Sequence, residues 1–475
     1  MEQTENLRVG LCGIGLEAYW DQFKNLKARL EGHLNQVADK LKRPEVDLVH
    51  LGLIDTSVSA HKAGHQFRRA DIDLLFIYVT TYATSSLVLP IVQRAGVPVI
   101  LLNLQPDSAI DYAAFNKLKD RTAMTESWLE YCSACPVPEI ANVMQRAKVP
   151  FHQVTGTLKD DRTWSEIQEW ISAAAVKAAL ASNRLGLLGH YYNGMLDVMT
   201  DITQIAITFG CQLEILEVDE LSGLRAKVDE QAIAGRGIDF QNHFDIQQDC
   251  EPKELARAAR TSLALDEFVA KHDLHSLAYY YEGSGNAANE DTMSSIILGM
   301  SMLTARHIPV AGEYEVKNAI AMKIMDSFGA GGSFTEFYAV DYTDDLVLMG
   351  HDGPGHVAIA EGKTKVRPLQ VYHGKVGSGV SIEMSVRHGP VTLLSVAEDA
   401  DRGFKFLVAE GDCVAGEILE IGNTNSRYRF PMGARGFLER WNAQGPAHHC
   451  AVGVGHLGTR LKKLADLLNI NFHQV

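Results

Sequence analysis

The first third of the chain alternates short apolar runs with longer amphipathic stretches. The apolar runs cover residues 7–12, 46–53, 72–79 and 97–104. Near-continuous apolar runs of this kind are typical of strands in a buried parallel sheet. Residues 20–41 and 85–94 show the spacing of amphipathic helices. Strands separated by helices predict right-handed βαβ units, and a helical pattern over 158–183 is expected to close this domain at about residue 180.

A second α/β pattern follows over residues 181–335. Apolar runs at 185–188, 212–218 and 276–281 predict strands, and 197–209 and 252–271 predict helices between them. A polar and aromatic loop, His190 to Met195, follows the first of these strands. The pattern again predicts a sheet with helices on its faces.

The most informative stretch for function begins with a predicted strand at 308–311 that ends near Glu313. Val316, Ala319, Ile320 and Ile324 then recur at three- and four-residue steps, which predicts a helix with one apolar face. Glycines at 329, 331 and 332 are expected to stop this helix, because glycine favours turns.

After about residue 340 the helical patterns give way to strand-like runs broken by glycine. These runs lie at 366–372, 380–384, 391–396 and 404–408, before a helix at 457–468 and a last strand at 469–473. An antiparallel sheet or small barrel is expected here. The chain is thus predicted to be an α/β protein, with α/β domains at 1–180 and 181–335 and a β-rich domain at 336–475.

Composition and charge narrow the possible partners. The chain has 475 residues, of which 46% are apolar and 22% charged, as in globular proteins of two or three domains. Its formal charge of −15 argues against nucleic acid or an anionic membrane, since both require a basic surface. Small neutral molecules and metal ions remain compatible with this charge.

The cysteines and the N-terminus indicate a cytoplasmic protein. Seven scattered cysteines give no disulfide framework. Only Cys132 and Cys135 form a C-x-x-C, which is compatible with ordinary thiols or with redox or metal chemistry. The first residues lack the basic and apolar regions of a signal peptide, and no apolar run reaches 18 residues.

Carboxylates and imidazoles mark the candidate chemistry. Glu313 and Glu336 are expected near element ends, and His351 is expected just past a strand at 346–349. Open α/β sheets bind ligands at such ends, and these donors suit Mn²⁺ or Mg²⁺. His448 and His449 offer a fourth ligand. Chance is the alternative, because the chain contains 59 acids and 18 histidines.

A rival signal follows the first strand. Residues 13–18 read G-x-G-x-x-A, the pattern of a dinucleotide-binding turn at a helix N-terminus. The ribose-binding acid is expected about 20 residues later, whereas the second strand reaches its acid only at Asp55. A nicotinamide oxidoreductase and a simple strand-to-helix turn both stay open here.

Four blocks of the sequence resemble L-arabinose isomerases. They read GEYEVKNA, GGSFTEFY, LVLMGHD and AHHCAV, and they match that family's GEGDWKTA, GGTSFMEDY, LVLGAHM and AHHTV in order and spacing. The resemblance implies two doubly wound α/β domains and a β-rich C-terminal domain. It also implies a divalent-metal site, usually filled by Mn²⁺ with Mg²⁺ or Co²⁺ as alternatives, formed by Glu313, Glu336, His351 and His449.

The same resemblance implies roles around the metal. Glu313 and Glu336 match the family's acid/base pair. The positions that match its sugar contacts are Tyr19, Met195, Tyr281, Phe334 and His448. Family members are trimers or hexamers whose active sites are shared between subunits, so a homo-oligomer is expected.

The implied activity is aldose–ketose isomerisation of a free sugar. L-Arabinose is the family's substrate, but the loop after the first strand lacks the family's glutamine contact and reads Gly13 to Trp20 instead. D-Galactose, in pyranose or furanose form and giving D-tagatose, is therefore an alternative substrate. A non-catalytic sugar-binding or sensing protein on the same fold is the other functional hypothesis.

Overall fold

The computed structural model describes residues 6–283, 285–372, 375–399 and 403–475, with the backbone alone for 371, 372, 375 and 376. The expectation about a signal peptide rests partly on residues 1–5, which lie outside this range. Contacts divide the chain into two compact units, Met1–Ala178 and Ala179–Val475. A further boundary at residue 335 stays a prediction.

The first unit contains a parallel sheet with strand order β2-β1-β3-β4-β5 and helices in the connections. Its strands are β1 (Leu7–Ile14), β2 (Val46–Ile54), β3 (Leu74–Val79), β4 (Val99–Gln105) and β5 (Phe151–Thr157). Its helices are α1 (Leu26–Leu41), α2 (Ser57–Arg69), α3 (Ser85–Ala95), α4 (Tyr112–Lys117), α5 (Arg121–Leu129), α6 (Val137–Arg146) and α7 (Asp161–Ala181). Every residue of β3 is buried, as expected for a strand covered on both faces.

The dinucleotide-like pattern lies in a different setting from a phosphate-binding turn. Gly13 is still part of β1, a short 3-10 helix covers Glu17–Tyr19, and α1 begins only at Leu26. The amide of Gly15 donates to the carbonyl of Ile54 at 3.0 Å, so it is already used within the fold. The pattern therefore lacks the helix N-terminus that binds a pyrophosphate.

The second unit opens with another parallel sheet, of order β10-β9-β6-β7. The strands in this part of the chain are β6 (Arg184–Gly189), β7 (Gln212–Leu216), β8 (Asp245–Ile246), β9 (Ser276–Tyr280) and β10 (Val310–Ala311). The helices are α8 (Ile202–Phe209), α9 (Val218–Arg225), α10 (Glu230–His243), α11 (Pro252–His272), α12 (Ala287–Met293), α13 (Ile297–Ala305) and α14 (Val316–Ser327). The expected α/β architecture is confirmed in both units.

The C-terminal part is a closed barrel, as the glycine-broken strand pattern predicts. The ring runs β17-β20-β11-β12-β19-β18 and closes through a β17–β18 pairing, with antiparallel neighbours throughout; β21 adds to β18 in parallel. The strands are β11 (Gly331–Asp341), β12 (Leu346–His351), β13 (Lys365–Pro368), β14 (Val371–Tyr372), β15 (Lys375–Val376), β16 (Val380–Glu383), β17 (Gly389–Glu398), β18 (Phe404–Cys413), β19 (Thr424–Arg429), β20 (His449–Val454) and β21 (Asn471–Gln474). The helices are α15 (Gly433–Ala443) and α16 (Gly458–Leu468).

Several boundaries differ from the sequence expectation, and those at the candidate site are the most relevant. The helix expected from residue 197 begins at Ile202, because the Asp201 side chain caps it by accepting from the amide of Thr203 at 2.8 Å. Glu336, expected near an element end, lies within β11, and His351 is the last residue of β12 rather than just past it. No described helix has the length and apolar character needed to cross a membrane.

Candidate metal centre

Adjacent barrel strands carry three of the four expected ligands. Glu336 on β11 pairs with His449 on β20 on one side and with Gly350 on β12 on the other. His351 follows Gly350, so the three side chains lie at one end of neighbouring strands. Glu313 comes from the turn between β10 and α14.

The structure brings all four of these side chains together. Ligand atoms of Glu336, His351 and His449 lie within 4.8 Å of one another. The Glu313 carboxylate is 3.9 Å from His351 Nε2 and 3.4 Å from His449 Nε2. A second grouping of the same kind consists of Glu313, His448 and His449.

Hydrogen bonds at Nδ1 fix the direction of the imidazoles of His351 and His449. His351 Nδ1–H donates to the carbonyl of Asp352 at 2.5 Å, and His449 Nδ1 lies 2.5 Å from Glu315 Oε2. With Nδ1 occupied, each ring directs its Nε2 toward the Glu313 carboxylate. This second contact is the usual way in which proteins orient histidine ligands.

Burial keeps the two imidazoles neutral, which is the form that binds a metal. Burial lowers the pKa of His351 to about 3 and that of His449 to about 3. Burial also raises the pKa of Glu336 to about 6 and that of Glu315 to about 8. For Glu313, burial opposes ionisation, but the neighbouring histidines outweigh it and hold the pKa below its usual value.

The turn that carries Glu313 has unusual backbone angles. Glu313 has φ of 55° and Tyr314 φ of 60°, both in the left-handed region that non-glycine residues rarely adopt. The amide of Tyr314 donates to the carbonyl of Tyr279 at 2.9 Å, which holds the turn in place. Such strain of about 1–3 kcal/mol per residue is concentrated at functional sites, where the surrounding structure enforces it.

The donor set fits a divalent cation. Glu313 Oε2 and His449 Nε2 are buried and make no hydrogen bond within the described residues. Unsatisfied polar atoms are costly in a protein interior, and a cation shared between them would satisfy both. Two carboxylates and two imidazoles suit Mn²⁺ and related metals better than thiolate-selecting ones.

The expected sugar contacts have different settings. His448 is 36% exposed beside the fully buried His449, whereas Phe334 is 2% exposed and packs against the rings of His351 and His449 at 4.5 and 4.3 Å between centroids. Phe334 therefore supports the imidazoles, a role that the sequence did not predict.

The three other expected sugar contacts come from other parts of the chain. Met195 is half-buried in the loop after β6, and Tyr281 is half-buried just after β9. Tyr19 ends the short helix of the first unit and packs against Phe23.

Sequence reasoning missed the residues that hold these side chains. Glu315 contacts His449, Asp197 contacts His448, and the Lys317 ammonium group donates to the carbonyl of Asp197 at 2.5 Å. Glu315 and Lys317 stand in the same sequence block as Glu313. A second acid beside Glu313, and a lysine within an otherwise apolar helix, could have pointed to them. Asp197 gave no comparable signal.

Comparison with known proteins shows which family the sequence resembles. The family model for the L-arabinose isomerase C-terminal domain matches residues 331–471. An L-arabinose isomerase from Nocardioides sp. (strain ATCC BAA-499 / JS614) is 23% identical over 344 residues, covering 69% of this chain and 67% of that protein. The chain is similar to L-arabinose isomerases, and the family model places this similarity over residues 331–471. These matches confirm the resemblance, and they support an aldose–ketose isomerase as the class of enzyme.

The arabinose isomerase domain match contains Glu336, His351 and His449, while Glu313 lies before it.

The similarity to solved structures is weaker. A solute-binding protein from Burkholderia multivorans is 12% identical, with 68% of this chain and 92% of that chain covered and a TM-score of 0.15. A solute-binding protein from Actinobacillus succinogenes 130z with bound D-allose is 11% identical at the same coverage, with a TM-score of 0.18. TM-scores this low do not show that these proteins share a fold or a function with this chain.

Proposed function

We propose that the chain is a metal-dependent isomerase that converts a free aldose to its ketose. L-Arabinose to L-ribulose and D-galactose, as pyranose or furanose, to D-tagatose are the two candidate reactions. Mn²⁺ is the proposed metal, with Mg²⁺ or Co²⁺ as alternatives, and Glu313, Glu336, His351 and His449 are its proposed ligands. A cytoplasmic homo-oligomer, a trimer or hexamer with shared sites, is part of the same proposal.

The residue types supply the proton chemistry. Isomerisation moves a proton between adjacent sugar carbons through an enediol. One of Glu313 and Glu336 removes the proton from carbon, and the other exchanges protons with the sugar oxygens; each contributes about 10²- to 10⁴-fold. A bound divalent metal stabilises the negative charge that develops on oxygen. His448, the more exposed histidine, donates to the sugar in this proposal.

One observation carries this proposal. Two acids and two neutral imidazoles from separate parts of the chain converge, with Glu313 Oε2 and His449 Nε2 buried and without hydrogen bonds in the described structure. A merely structural cluster would be expected to satisfy these atoms internally. Their arrangement instead favours a shared ligand.

An aldose panel tests the proposal. Purified protein is loaded with Mn²⁺ and incubated with L-arabinose, D-galactose and other aldoses, and ketose formation is measured by chromatography. At least one aldose should be converted, and a Glu336→Gln variant prepared in parallel should convert none. Absence of ketose from every sugar with freshly loaded, folded protein would refute the isomerase assignment.

A further inference from the structure

One carboxylate oxygen fixes the substrate-facing histidine. Asp197 Oδ2 lies 2.6 Å from His448 Nδ1 and also accepts the backbone N–H of His448 at 2.9 Å. Because the same oxygen contacts both the main chain and the ring of one residue, the ring is restricted to one orientation. In that orientation His448 Nε2 points toward Glu313 Oε2, 3.7 Å away.

Asp197 is itself held in place by a buried side chain. It belongs to the loop that follows the carboxyl end of β6, and Lys317 in the first turn of α14 anchors this loop. Lys317 is only 5% exposed, and its ammonium group donates to the carbonyls of Asp197 and Met199 at 2.5 and 3.4 Å. A buried ammonium group is costly unless its hydrogen bonds are made, so these contacts fix the loop firmly.

The first turn of α14 thus serves both members of the histidine pair. Glu315 contacts Nδ1 of the buried His449 directly, whereas Lys317 reaches the exposed His448 through Asp197. The two rings are 3.7 Å apart between centroids. Helix α14 and the loop after β6 therefore set the two imidazoles relative to each other.

We infer that Asp197 is a positioning residue that orients His448 toward the substrate, and that Lys317 positions Asp197. The inference deepens the proposed function. It rests on that function only where it predicts an effect on kcat. The competing explanation is an ordinary surface ion pair. Asp197 and His448 are 40% and 36% exposed, and such pairs contribute little to stability.

Three variants separate these explanations. Asp197→Ala removes both hydrogen bonds to His448, whereas Asp197→Asn keeps an acceptor oxygen without the charge. Asp201→Ala is the matched control, because it removes the cap of α8 a few residues away without touching His448. We expect Asp197→Ala to lower kcat about 10- to 100-fold, as loss of an outer partner of a functional histidine does, with bound Mn²⁺ unchanged. Asp197→Asn should retain more of the activity.

The control should leave kcat unchanged even though it lowers the unfolding temperature. Wild-type kcat in Asp197→Ala, an equal loss in Asp201→Ala, or loss of Mn²⁺ from Asp197→Ala would each overturn the inference. A crystal structure of Asp197→Ala gives a readout independent of turnover. The His448 ring should rotate away from Glu313, and an unmoved ring would also overturn the inference. If the wild type converts no aldose but the ring rotates, the proposed function fails and the positioning role stands.

Discussion

At the residue scale, the chemistry of the proposed metal centre depends on what each imidazole does with its second nitrogen. The Asp352 carbonyl can only accept, so His351 must carry its proton on Nδ1 and leave Nε2 free. His449 achieves the same orientation through Glu315. Removing a ligand and removing an acid should therefore have different effects on metal content.

His449→Ala should abolish both turnover and stoichiometric metal binding, because it removes a buried ligand donor. Glu336→Gln should abolish turnover but retain most of the metal, since an amide oxygen can still coordinate while it cannot exchange a proton. Ketose formation and bound Mn²⁺ by elemental analysis measure the two effects. His456→Ala is the matched histidine control, because His456 is exposed and its Nε2 contacts the carbonyl of Gly411 instead of a proposed ligand. Full metal content in a folded His449→Ala protein would contradict the ligand assignment.

The four proposed ligands could be found from the sequence because their blocks have a characteristic order. The residues that orient them could not. The Lys317–Asp197 contact spans 120 positions, and the His448–Asp197 contact spans 251. These contacts use a backbone carbonyl and an Nδ1 atom, which leave no pattern in a single sequence.

At the element scale, the glycine-rich turn decides how closely β11 approaches α14. Gly332 has φ of 117°, and a Cβ there would lie 2.8 Å from the carbonyl oxygen of Met322 on α14. Gly329 in the same turn also has a positive φ, of 74°, but a Cβ there would meet open space. Gly331 also has a positive φ, of 83°, but a Cβ there would meet the side chain of Ile359. Gly332 instead meets the backbone of α14, and it lies four residues before Glu336.

This difference gives a matched pair of variants. Gly329→Ala should cost about 1–2 kcal/mol, the penalty of a left-handed non-glycine residue. Gly332→Ala should cost at least about 3 kcal/mol, because steric overlap with a backbone oxygen adds to the strain of its φ. Denaturant unfolding measures both costs. Equal losses in the two variants would show that close packing of β11 on α14 is not what selects glycine at 332.

Strand positions followed well from apolar runs, but element ends did not. The run at 72–79 became β3 (Leu74–Val79), and 380–384 became β16 (Val380–Glu383). The strand expected to end before His351 includes it, because pairing of β12 with β19 continues to Thr424. The hydrophobic pattern indicates which residues are buried, whereas the partner strand determines where the backbone hydrogen bonds of a strand end.

At the scale of the whole molecule, the ring closure of the barrel illustrates what a single sequence cannot give. A small barrel was one of two expectations for this region. Its strand order, with β20 between β17 and β11, depends on pairing between segments about 60 to 120 positions apart in the chain, such as Leu393 with Val452 and Phe334 with Ala451. That pairing places His449 beside Glu336, so the proposed metal centre is a product of barrel topology.

All the proposed metal ligands belong to the second unit, Ala179–Val475. The apolar clusters around Ile77, Leu277 and Leu393 each lie within one unit. Each unit thus has a core of its own, which is the condition for independent folding. We therefore expect the second unit to fold and to bind metal without the first.

The chain can be divided after Ser182, so that α7 stays whole and Asn183 keeps its hydrogen bond from Ser276. The fragment 183–475 should unfold cooperatively, and Mn²⁺ at about 100 times its Kd should stabilise it by about 2.7 kcal/mol, because the ion binds only the folded state. Thermal unfolding with and without Mn²⁺ measures this shift, and the same fragment carrying His449→Ala is the control. A folded fragment that Mn²⁺ does not stabilise, alongside a full-length chain that it does, would mean that the centre requires residues of the first unit.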